Sequence, residues 1–507
     1  MDLGSTASLL LATFLPILLM INVWKKVFKK DKMPPGQTPL PLVGNILQVK
    51  SGQVAKSLLK LRDIYGPVFT VYLGCRRVVV LCGCDILKEA LIKQGDQFIS
   101  RGDIPFLQSM LHGSGIGVTN GEQWKQIRRF SVMTLKSLGM GKRSAVQEEA
   151  QHMVEKIREH KGDEALDTVE EGEVVQDTEP LPTTSGGRGV VAHEDPLVLQ
   201  AILPLTQSDS TSDNSFGSGG EPFMASSTLS QLYDMFPKVM DYLPGPHKRM
   251  FKHFKYLEDF IAERVKMNQE TLDTNCPRDF IDYYLIQKEQ GKIPMSERFD
   301  IMDLKMTVMD IILGATETTN QTLKYGLLLL LKNPDITEKA QKEIDTVLGE
   351  RSSPNLEDRQ KMPYTNAVVH EIHRFCDTVP MGGCHAVTCD TQFREFVITK
   401  GTHILPMLTT ALHDPTYFRY PNNFNPENFL DEKGNFVKNE AFVPFSLGKR
   451  NCPGLSLAET EVFLILTSIV KNFNLKSTCD LNDLDLTPIE SGFENLAPPF
   501  KMCFIPR

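Results

Sequence analysis

The chain has 507 residues, of which 41% are hydrophobic and 23% are charged. This is the composition of a globular protein, and it excludes whole-chain disorder, a collagen-like fibre and a multi-span membrane protein. The formal net charge of −8 also argues against a dedicated nucleic-acid binder, which normally carries a basic surface. The ten cysteines form no C-x-x-C pair and no regular spacing, so neither a zinc site nor a disulfide framework is indicated.

An uncharged stretch runs from Ala7 to Trp24, close to the N-terminus. As a helix, its 18 residues would extend about 27 Å, which is enough for a thin bilayer. No Lys or Arg precedes it, whereas lysines follow it at positions 25, 26, 29, 30 and 32. A cleaved secretory signal, the alternative, would carry its basic residues before the apolar run. By the positive-inside rule we predict a retained single-span anchor over 1–30, with residues 31–507 as a cytosolic body.

The body shows mostly helical patterns, with a few short strands. Four prolines within 34–41 predict a stiff, extended segment directly after the anchor. A strand pair is predicted over 67–81, with its turn near Gly74, and shorter strands over 385–412. Apolar periodicity predicts helices over 54–64, 84–95, 121–137, 142–160, 249–270, 299–332, 335–349, 364–376 and 455–473. The predicted fold class is mainly α with small β-sheets (α+β).

Residues 163–222 differ in composition from the rest of the chain. They contain 13 acidic residues, one Arg and one aromatic residue, Phe216, and they are rich in Ser, Thr and Gly. Such a segment buries too little apolar surface to offset the entropy cost of ordering it, so we predict that it is disordered. Without it, the chain is net +4 rather than −8. The acidity therefore belongs to this segment, and the remaining body is mildly basic.

The segment from Phe445 to Gly454 reads FSLGKRNCPG and leads directly into a predicted helix. Its cysteine, Cys452, lies just before the helix start, where the helix dipole and backbone N–H groups favour a thiolate over a thiol. Arg450 adds a positive charge two residues away. A thiolate in such a loop is a suitable axial ligand for haem iron. The alternative for a lone cysteine before a helix is a buried structural residue.

The fixed residues of this loop closely resemble the haem-binding signature of the cytochrome P-450 family. Phe445, Gly448, Arg450, Cys452 and Gly454 all have the spacing of that signature. Other segments resemble microsomal family 2 members, among them QIRRFSVMTLKSLGMGKRS, MPYTNAVVHEIHRF and NPENFLDEKGNF. The resemblance covers 34–160 and 227–507. It implies the cytochrome P-450 fold, a haem b cofactor (iron protoporphyrin IX) and Cys452 as the ligand of its iron.

Two further family motifs lie upstream of the thiolate loop. Glu371 and Arg374 match the Glu-x-x-Arg motif, and their spacing puts both side chains on one helix face. The family's third, basic residue is replaced here by Asn428, which predicts a weaker charge network. The segment 314–319, GATETT, resembles the oxygen-binding part of the family's central helix. By that resemblance Glu317 and Thr318 relay protons, next to a local distortion of the helix. The order departs from the family pattern, because the usual glycine site holds Ala315, which is less permissive of distortion, and the glycine lies one residue earlier.

The resemblance also implies residues that contact the haem propionates and line the substrate pocket. Trp124 and Arg128 match the family's W-x-x-x-R pair. Three more residues match further propionate contacts, namely Arg101, His385 and Arg450. The pocket residues implied are 103–117, Met309, Asp310, 379–383 and the turn near Phe493, and they indicate only an apolar ligand.

The function implied is that of a haem-dependent monooxygenase, which inserts one atom of O₂ into a small apolar organic substrate. Electrons would come from NADPH through an NADPH-cytochrome reductase, with cytochrome b5 as a second candidate donor. The anchor implies a single-pass protein of the endoplasmic reticulum membrane, embedded in a lipid bilayer and without a nucleic-acid partner. Basic residues that could meet the reductase are Lys125, Arg129, Lys136, Lys142 and Lys449.

Two alternatives remain at the level of sequence. Family members carry helices where this chain has 163–222, so the chain could bind haem and yet be catalytically impaired. A haem-thiolate isomerase or dehydratase, which needs no reductase, is the other alternative, and the pair Glu317–Thr318 argues against it. The unusual segment itself has two explanations, a divergent isoform or an exon replaced in the transcript.

Overall fold

The computed structural model describes residues 32–41, 43–50, 53–138, 143–159, 166–167, 233–291, 300–490 and 494–507. The anchor predicted over 1–30 lies outside these ranges, as does nearly all of the segment 163–222. Among the helices of the described ranges, none has both the length and the apolar composition needed to cross a bilayer.

Helices form most of the described structure. The longest is α9, whose 32 residues begin after the N-cap Asp300, where the side chain accepts a hydrogen bond from the backbone of Asp303. In chain order the helices are α1 Val54–Tyr65, α2 Cys84–Lys88, α3 Pro105–Met110, α4 Gly121–Ser137, α5 Arg143–Glu159, α6 Pro237–Met240, α7 Pro246–Glu270, α8 Phe280–Glu289, α9 Ile301–Lys332, α10 Pro334–Leu348, α11 Pro363–Cys376, α12 Thr409–Leu412 and α13 Leu455–Asn472. A π-helical turn, Glu89–Lys93, continues α2.

The strands form small sheets, of which the largest has five strands in the order β1-β2-β8-β5-β3. Within it β2 pairs with β8 in parallel, and the other pairs are antiparallel. The strands are β1 Val68–Leu73, β2 Arg76–Cys82, β3 Ser100–Arg101, β4 Leu166–Asp167, β5 His385–Ala386, β6 Thr391–Phe393, β7 Phe396–Ile398, β8 His403–Met407, β9 Phe473–Ser477, β10 Ile489–Glu490, β11 Asn495–Leu496 and β12 Lys501–Pro506. The fold class is mainly α with small β-sheets, as predicted.

Helix α9 connects two parts of the hydrophobic core. Its first half packs into one cluster through Leu304, Met306 and Met309, together with α7 and α8. Its second half, through the run 327–331, packs into another cluster with α10, α11 and α13. Residues 310–320 lie between the two clusters, and none of them is a buried member of either cluster. Within this interval Gly314 and Ala315 are exposed.

Most predicted elements are present, with shifts of a few residues at their ends. The proline-rich segment is extended, and it is fixed to the sheet because the backbone N–H of Thr70 donates to Pro35 O at 2.7 Å. The disorder predicted over 163–222 is wrong for Leu166 and Asp167, whose backbone pairs with β12 as an added strand. The rest of that prediction lies outside the described ranges.

Candidate functional site

The loop that carries Cys452 is built on a tight turn followed by a helix start. Gly448–Arg450 forms a 3₁₀ turn, and the Cys452 N–H donates to Phe445 O at 2.9 Å. Helix α13 begins at Leu455, and the backbone N–H groups of Gly454 and Leu455 donate to the Cys452 sulfur. The prediction that backbone donors point at this sulfur is therefore confirmed.

A close approach between backbones fixes this loop. Gly448 has a φ of +71°, and a Cβ there would lie 2.0 Å from the carbonyl oxygen of Leu91. Leu91 belongs to the π-helical turn after α2. Only glycine fits this position, because any side chain would collide with a backbone atom and strain the left-handed conformation. Gly448 thus allows the cysteine loop to pack directly against the π-helical turn that follows α2.

The environment of the Cys452 sulfur differs from the sequence prediction in one respect. Burial raises the pKa of the thiol, and this outweighs the opposing effects of the Gly454 N–H, the Arg128 charge and the Leu455 N–H. The loop alone therefore does not favour the thiolate, although a bound metal would displace the proton. The Cys452 side chain is nevertheless exposed. The sulfur is therefore accessible to a ligand although the protein around it disfavours the free thiolate.

Arg450 ties the cysteine loop to the segment before α4. Its guanidinium donates to the carbonyl oxygens of Ile99 at 2.9 Å and Thr119 at 2.7 Å, and to Asn120 Oδ1 at 3.0 Å. The same group lies 3.8 Å from the ring centroid of Trp124, a cation–π contact. Burial, followed by the charges of Arg101 and Arg128, lowers the pKa of Arg450 to about 8. Most N–H donors of the Arg450 guanidinium are thus used within the protein.

The five-stranded sheet brings Arg101 and His385 side by side. They are directly paired residues of β3 and β5. The Arg101 guanidinium donates to Gly383 O at 3.2 Å, and a Cβ on Gly383 would lie 2.8 Å from it. His385 Nδ1 donates to Phe98 O at 2.7 Å, which leaves Nε2 buried and without a hydrogen-bond partner in the described part of the chain. Burial, then Arg101, lowers the pKa of His385 to about 3.

Arg128 completes this group of cations. It lies on α4, one turn after Trp124, and its Nη2 donates to Asn451 O at 2.7 Å and to Asn451 Oδ1 at 2.8 Å. Burial lowers the pKa of Arg128, whereas Cys452 raises it. The structure therefore brings together the five residues predicted as propionate contacts and the cysteine predicted as metal ligand. The links between these six residues are the contacts of Arg450, the bonds from Arg128 to Asn451, and the pairing of β3 with β5.

Helix α9 runs without a break past the predicted oxygen-binding segment. The local distortion expected there is absent, and Ala315 in place of glycine gives the helix less freedom to distort. The Thr318 hydroxyl donates to Gly314 O at 2.7 Å, a bond within the helix. Gly314 and Ala315 are exposed, and a Cβ on Gly314 would meet nothing within 4 Å. The helix thus borders open space at this point.

Glu317 is held by a residue that the sequence reasoning did not single out. Gln321 Nε2, one turn along α9, donates to Glu317 Oε1 at 2.9 Å. Gln321 Oε1 in turn accepts from the backbone N–H of Ala497 at 3.2 Å. The spacing of four residues within a helix was the available signal for this pair.

Asp310 contacts the loop that was predicted to line the pocket with it. Its Oδ2 accepts from the Gly117 N–H at 2.8 Å. Burial raises the pKa of Asp310 to about 7, against the effect of the backbone N–H groups of Gly117 and Ile116 and the charge of Arg101. The carboxyl therefore fastens the loop before α4 to the central helix.

Comparison with known proteins agrees with this architecture. The family model for Cytochrome P450 matches residues 34–178 and 210–504. The chain is 44% identical to Cytochrome P450 2A5 of Mus musculus over 508 residues, which cover 99% of this chain and 100% of that protein. It is 42% identical to Cytochrome P450 2G1 of Oryctolagus cuniculus over 511 residues, covering 100% of both chains. It is 43% identical to Cytochrome P450 2C11 of Rattus norvegicus over 514 residues, covering 98% of this chain and 97% of that one.

The chain belongs to the cytochrome P450 family. As a member it is a monooxygenase that binds haem b. The residues present in this P450 fit that cofactor. The Cys452 side chain is exposed, α9 borders open space at Gly314, and His385 Nε2 is a buried polar atom that lacks a partner among the described residues.

The charges around this space also suit a haem, which carries two carboxylates. Three guanidiniums, those of Arg101, Arg128 and Arg450, have pKa values lowered mainly by burial, so a negative group arriving there would relieve unfavourable desolvation. His385 could bind a carboxylate through Nε2 only after its ring takes up a proton, since Nδ1 already donates to Phe98.

The Glu-x-x-Arg motif of this P450 forms a fully buried ion pair. Arg374 Nη2 and Nε donate to the two carboxylate oxygens of Glu371, each at 2.7 Å. Arg374 also donates to Leu412 O at 2.8 Å and Asn423 O at 3.0 Å. Asn428 Nδ2 donates to Glu371 Oε1 at 3.1 Å, so the amide takes part in the network by a hydrogen bond instead of a charge. The motif is a structural clamp between α11 and the loop after α12.

Proposed function

We propose that this P450 inserts one atom of O₂ into small apolar organic molecules, using electrons delivered from NADPH by a reductase. The observation that carries the proposal is the Cys452 side chain, which is exposed and whose sulfur accepts hydrogen bonds from the backbone N–H groups of Gly454 and Leu455. Bound at this cysteine, haem supplies the iron that binds and reductively activates dioxygen. The residues beside the space at Gly314 belong to an otherwise apolar helix, which supports an apolar substrate.

Glu317 and Thr318 are the groups we propose for delivering protons to the site. They are consecutive residues of α9, next to the open space at Gly314. Gln321 holds the Glu317 carboxylate in place, so its orientation does not depend on solvent. The Thr318 hydroxyl donates to Gly314 O, and its oxygen keeps lone pairs available to accept a hydrogen bond. We propose that the carboxyl and the hydroxyl each take part in proton delivery at the edge of this space.

We further propose that the cations of α4 form part of the reductase docking surface. Lys125, Arg129 and Lys136 are exposed on this helix, whose opposite face carries the buried Trp124 toward the site. Lys125 pairs with Glu122, and Lys449 pairs with Asp96, both through exposed side chains. Lys142, also predicted for this surface, lies outside the described ranges. An acidic donor, whether the reductase or cytochrome b5, would complement such a surface.

The membrane association of the protein is part of the proposal. The apolar run 7–24 and the lysines after it support a single-span anchor in the endoplasmic reticulum membrane, with the catalytic domain in the cytosol. The proline-rich segment after the anchor is fixed along β1 through Thr70, which supports a defined seating of the domain on the membrane.

A second candidate is a chain that binds haem but turns over little substrate. The family match omits residues 179–209, within the unusual acidic segment. If no structure replaces the family's helices there, the substrate space would stay open to water, which favours loss of reducing equivalents over product formation.

The test is the spectrum of the reduced, full-length protein with carbon monoxide. We expect the absorption band that is specific for thiolate-ligated haem. Cys452→Ser should abolish it, whereas Cys389→Ser, which changes an exposed cysteine in another part of the chain, should leave it intact. Absence of the band from folded wild-type protein, or its survival in Cys452→Ser, would contradict the proposal.

A second measurement separates the two candidate functions. With reductase and an apolar substrate, the monooxygenase should consume NADPH and form hydroxylated product in comparable amounts. A haem-binding but impaired chain would give the carbon monoxide band with little product.

A further inference from the structure

Gln321 is a buried amide side chain on α9 that lies outside the motifs resembling the family. Only 9% of it is exposed. Its Nε2 donates to Glu317 Oε1 at 2.9 Å, and its Oε1 accepts from the backbone N–H of Ala497, directly after β11, at 3.2 Å. Both polar atoms of the amide therefore have a partner, one on α9 itself and one in a distant part of the chain.

These two partners allow the Gln321 amide only one orientation. The Ala497 N–H can only donate, so the amide oxygen must face it, and the amide nitrogen must then face Glu317. A flipped amide would place N–H against N–H at Ala497 and oxygen against oxygen at Glu317. Because the group is buried, such unsatisfied contacts would be costly. Gln321 thus presents a fixed N–H donor to the Glu317 carboxyl.

The backbone that orients Gln321 is itself fixed to α9 by a second route. The Asn495 N–H, in β11, donates to Thr378 O at 2.9 Å. The Thr322 hydroxyl donates to Thr318 O at 2.8 Å, so the Thr378 hydroxyl must be the donor in its contact with Thr322 Oγ1 at 3.3 Å. A ring of hydrogen bonds thus runs from α9 through Ala497 and β11 to the segment after α11, and back to α9.

A fixed donor makes the two oxygens of the Glu317 carboxyl different from each other. In a protonated carboxyl, the carbonyl oxygen accepts hydrogen bonds more readily than the hydroxyl oxygen does. The N–H of Gln321 at Oε1 therefore favours the form in which Oε1 is the carbonyl oxygen and Oε2 carries the proton. The same bond opposes rotation of the carboxyl group, which would exchange the two oxygens.

We propose that Gln321 is a positioning residue that acts through Glu317, by selecting Oε2 as the oxygen that carries the delivered proton. This inference rests on the proposed role of Glu317 in proton delivery. In the step proposed, the O–H bond at Oε2 breaks, the proton leaves and a carboxylate remains. Water then returns a proton to Oε2, so protons and charges balance.

The first experiment observes the Glu317 carboxylate directly, by infrared spectroscopy of the full-length, haem-loaded protein. Subtracting the spectrum of Glu317→Gln from that of wild type isolates the carboxylate band. Gln321→Met keeps the unbranched shape of the side chain but donates no hydrogen bond, so the same subtraction in that background should give a shifted band. Asn320→Met makes the same kind of change at the neighbouring, exposed amide and should leave the band where it is.

The second experiment measures how much product forms for each NADPH consumed. Gln321→Met should lower this ratio about tenfold, a modest effect for a residue that acts through another. In the Glu317→Gln background the same change should have no further effect, because no carboxyl proton remains to be positioned. A merely structural role would lower the ratio in both backgrounds. The reduced carbon monoxide band should keep its full intensity, which shows that the haem site is intact.

The inference is overturned by an infrared band that does not move in Gln321→Met, by an unchanged product ratio, or by equal effects in the two backgrounds. Failure of the proposed function looks different, since wild type would then lack the carbon monoxide band or the product, or Glu317→Gln would leave the product ratio unchanged.

A second variant covers the case in which Gln321→Met does not fold. Gln321→Glu keeps an oxygen for the Ala497 N–H but repels the ionised Glu317 carboxylate instead of donating to it. It should therefore show the shifted infrared band and the lowered product ratio, and wild-type values of both would overturn the inference.

Discussion

Glu371 and Arg374 show how a single pair of residues can organise a loop. Both side chains are fully buried, and Arg374 spans from α11 to the carbonyl groups of Leu412 and Asn423. Burial raises the pKa of Glu371 more than its ion pair with Arg374 lowers it. The pair is therefore costly to desolvate, and its value lies in fixing the loop rather than in net attraction.

Replacing one partner should be strongly destabilising. In Glu371→Gln the buried guanidinium keeps its charge but loses its counterion, for which we expect a loss of about 3–5 kcal/mol in the free energy of unfolding. Chemical denaturation of the purified domain measures this value. The matched control is Glu338→Gln, which breaks the exposed pair with Lys342 on α10 and should leave the free energy of unfolding almost unchanged. Equal effects in the two variants would contradict the clamp.

At the scale of elements, local patterns in the sequence predict α4 and α9 well, because their apolar periodicity is long and regular. The short strands β3 and β5 are different. Each has two residues, and what defines them is their pairing with each other, far apart along the chain, and the pairing of β5 with β8. Their residues Arg101 and His385 could be assigned only by resemblance, since no local pattern places them side by side.

The same limit explains what was missed at the site. Gln321 is buried on α9, and what gives it a role is its hydrogen bond to the distant backbone of Ala497, which no local pattern predicts. The raised pKa of Cys452 is also a tertiary effect, set by desolvation. By contrast, Gly448 could be predicted from the motif, and the structure supplies the reason in the close approach of Leu91.

The contact between the cysteine loop and α2 yields a prediction at this scale. Gly448→Ala should displace the loop, because its Cβ would lie 2.0 Å from Leu91 O. We expect loss of most of the haem incorporated, measured by the carbon monoxide band per mole of protein. Gly434→Ala is the matched control, since Gly434 has a φ of +79° but nothing within 4 Å of its Cβ. The Gly434→Ala variant has the same kind of backbone strain, about 1–2 kcal/mol, but its Cβ collides with nothing, so this variant should keep its haem.

At the scale of the whole molecule, buried histidines and buried acids have opposite effects on the pH dependence of stability. The pKa is lowered to about 4 in His370 and His413 and to about 3 in His373 and His385, mainly by burial. The unfolded chain protonates these rings below its ordinary pKa of about 6.5, whereas the folded chain does not. Their contribution therefore lowers stability as the pH falls from about 6.5 to about 4.

Four buried acids oppose this trend. The pKa of each of Asp310, Asp377, Glu461 and Glu494 is raised to about 7, mainly by burial. Between about pH 4 and 7 the folded chain keeps protons that the unfolded chain releases, so their contribution lowers stability as the pH rises. Because four groups of each kind act over nearly the same range, we expect little net change between about pH 4.5 and 6.5. Below about pH 4 the histidine effect continues, and carboxylates whose pKa is lowered in the folded chain, such as Asp282 and Asp358, also begin to take up protons, so stability should fall steeply.

Asp310→Asn tests this balance with one nearly isosteric change. The amide oxygen can still accept from the Gly117 N–H, but the group no longer titrates. Relative to wild type, the variant should gain stability steadily as the pH is raised from about 4 to about 7, because wild type must ionise a buried carboxyl and the variant need not. Urea denaturation of both proteins at a series of pH values measures the difference. A difference that is constant with pH would mean that Asp310 stays ionised in the folded protein, held by the N–H groups of the loop and by Arg101.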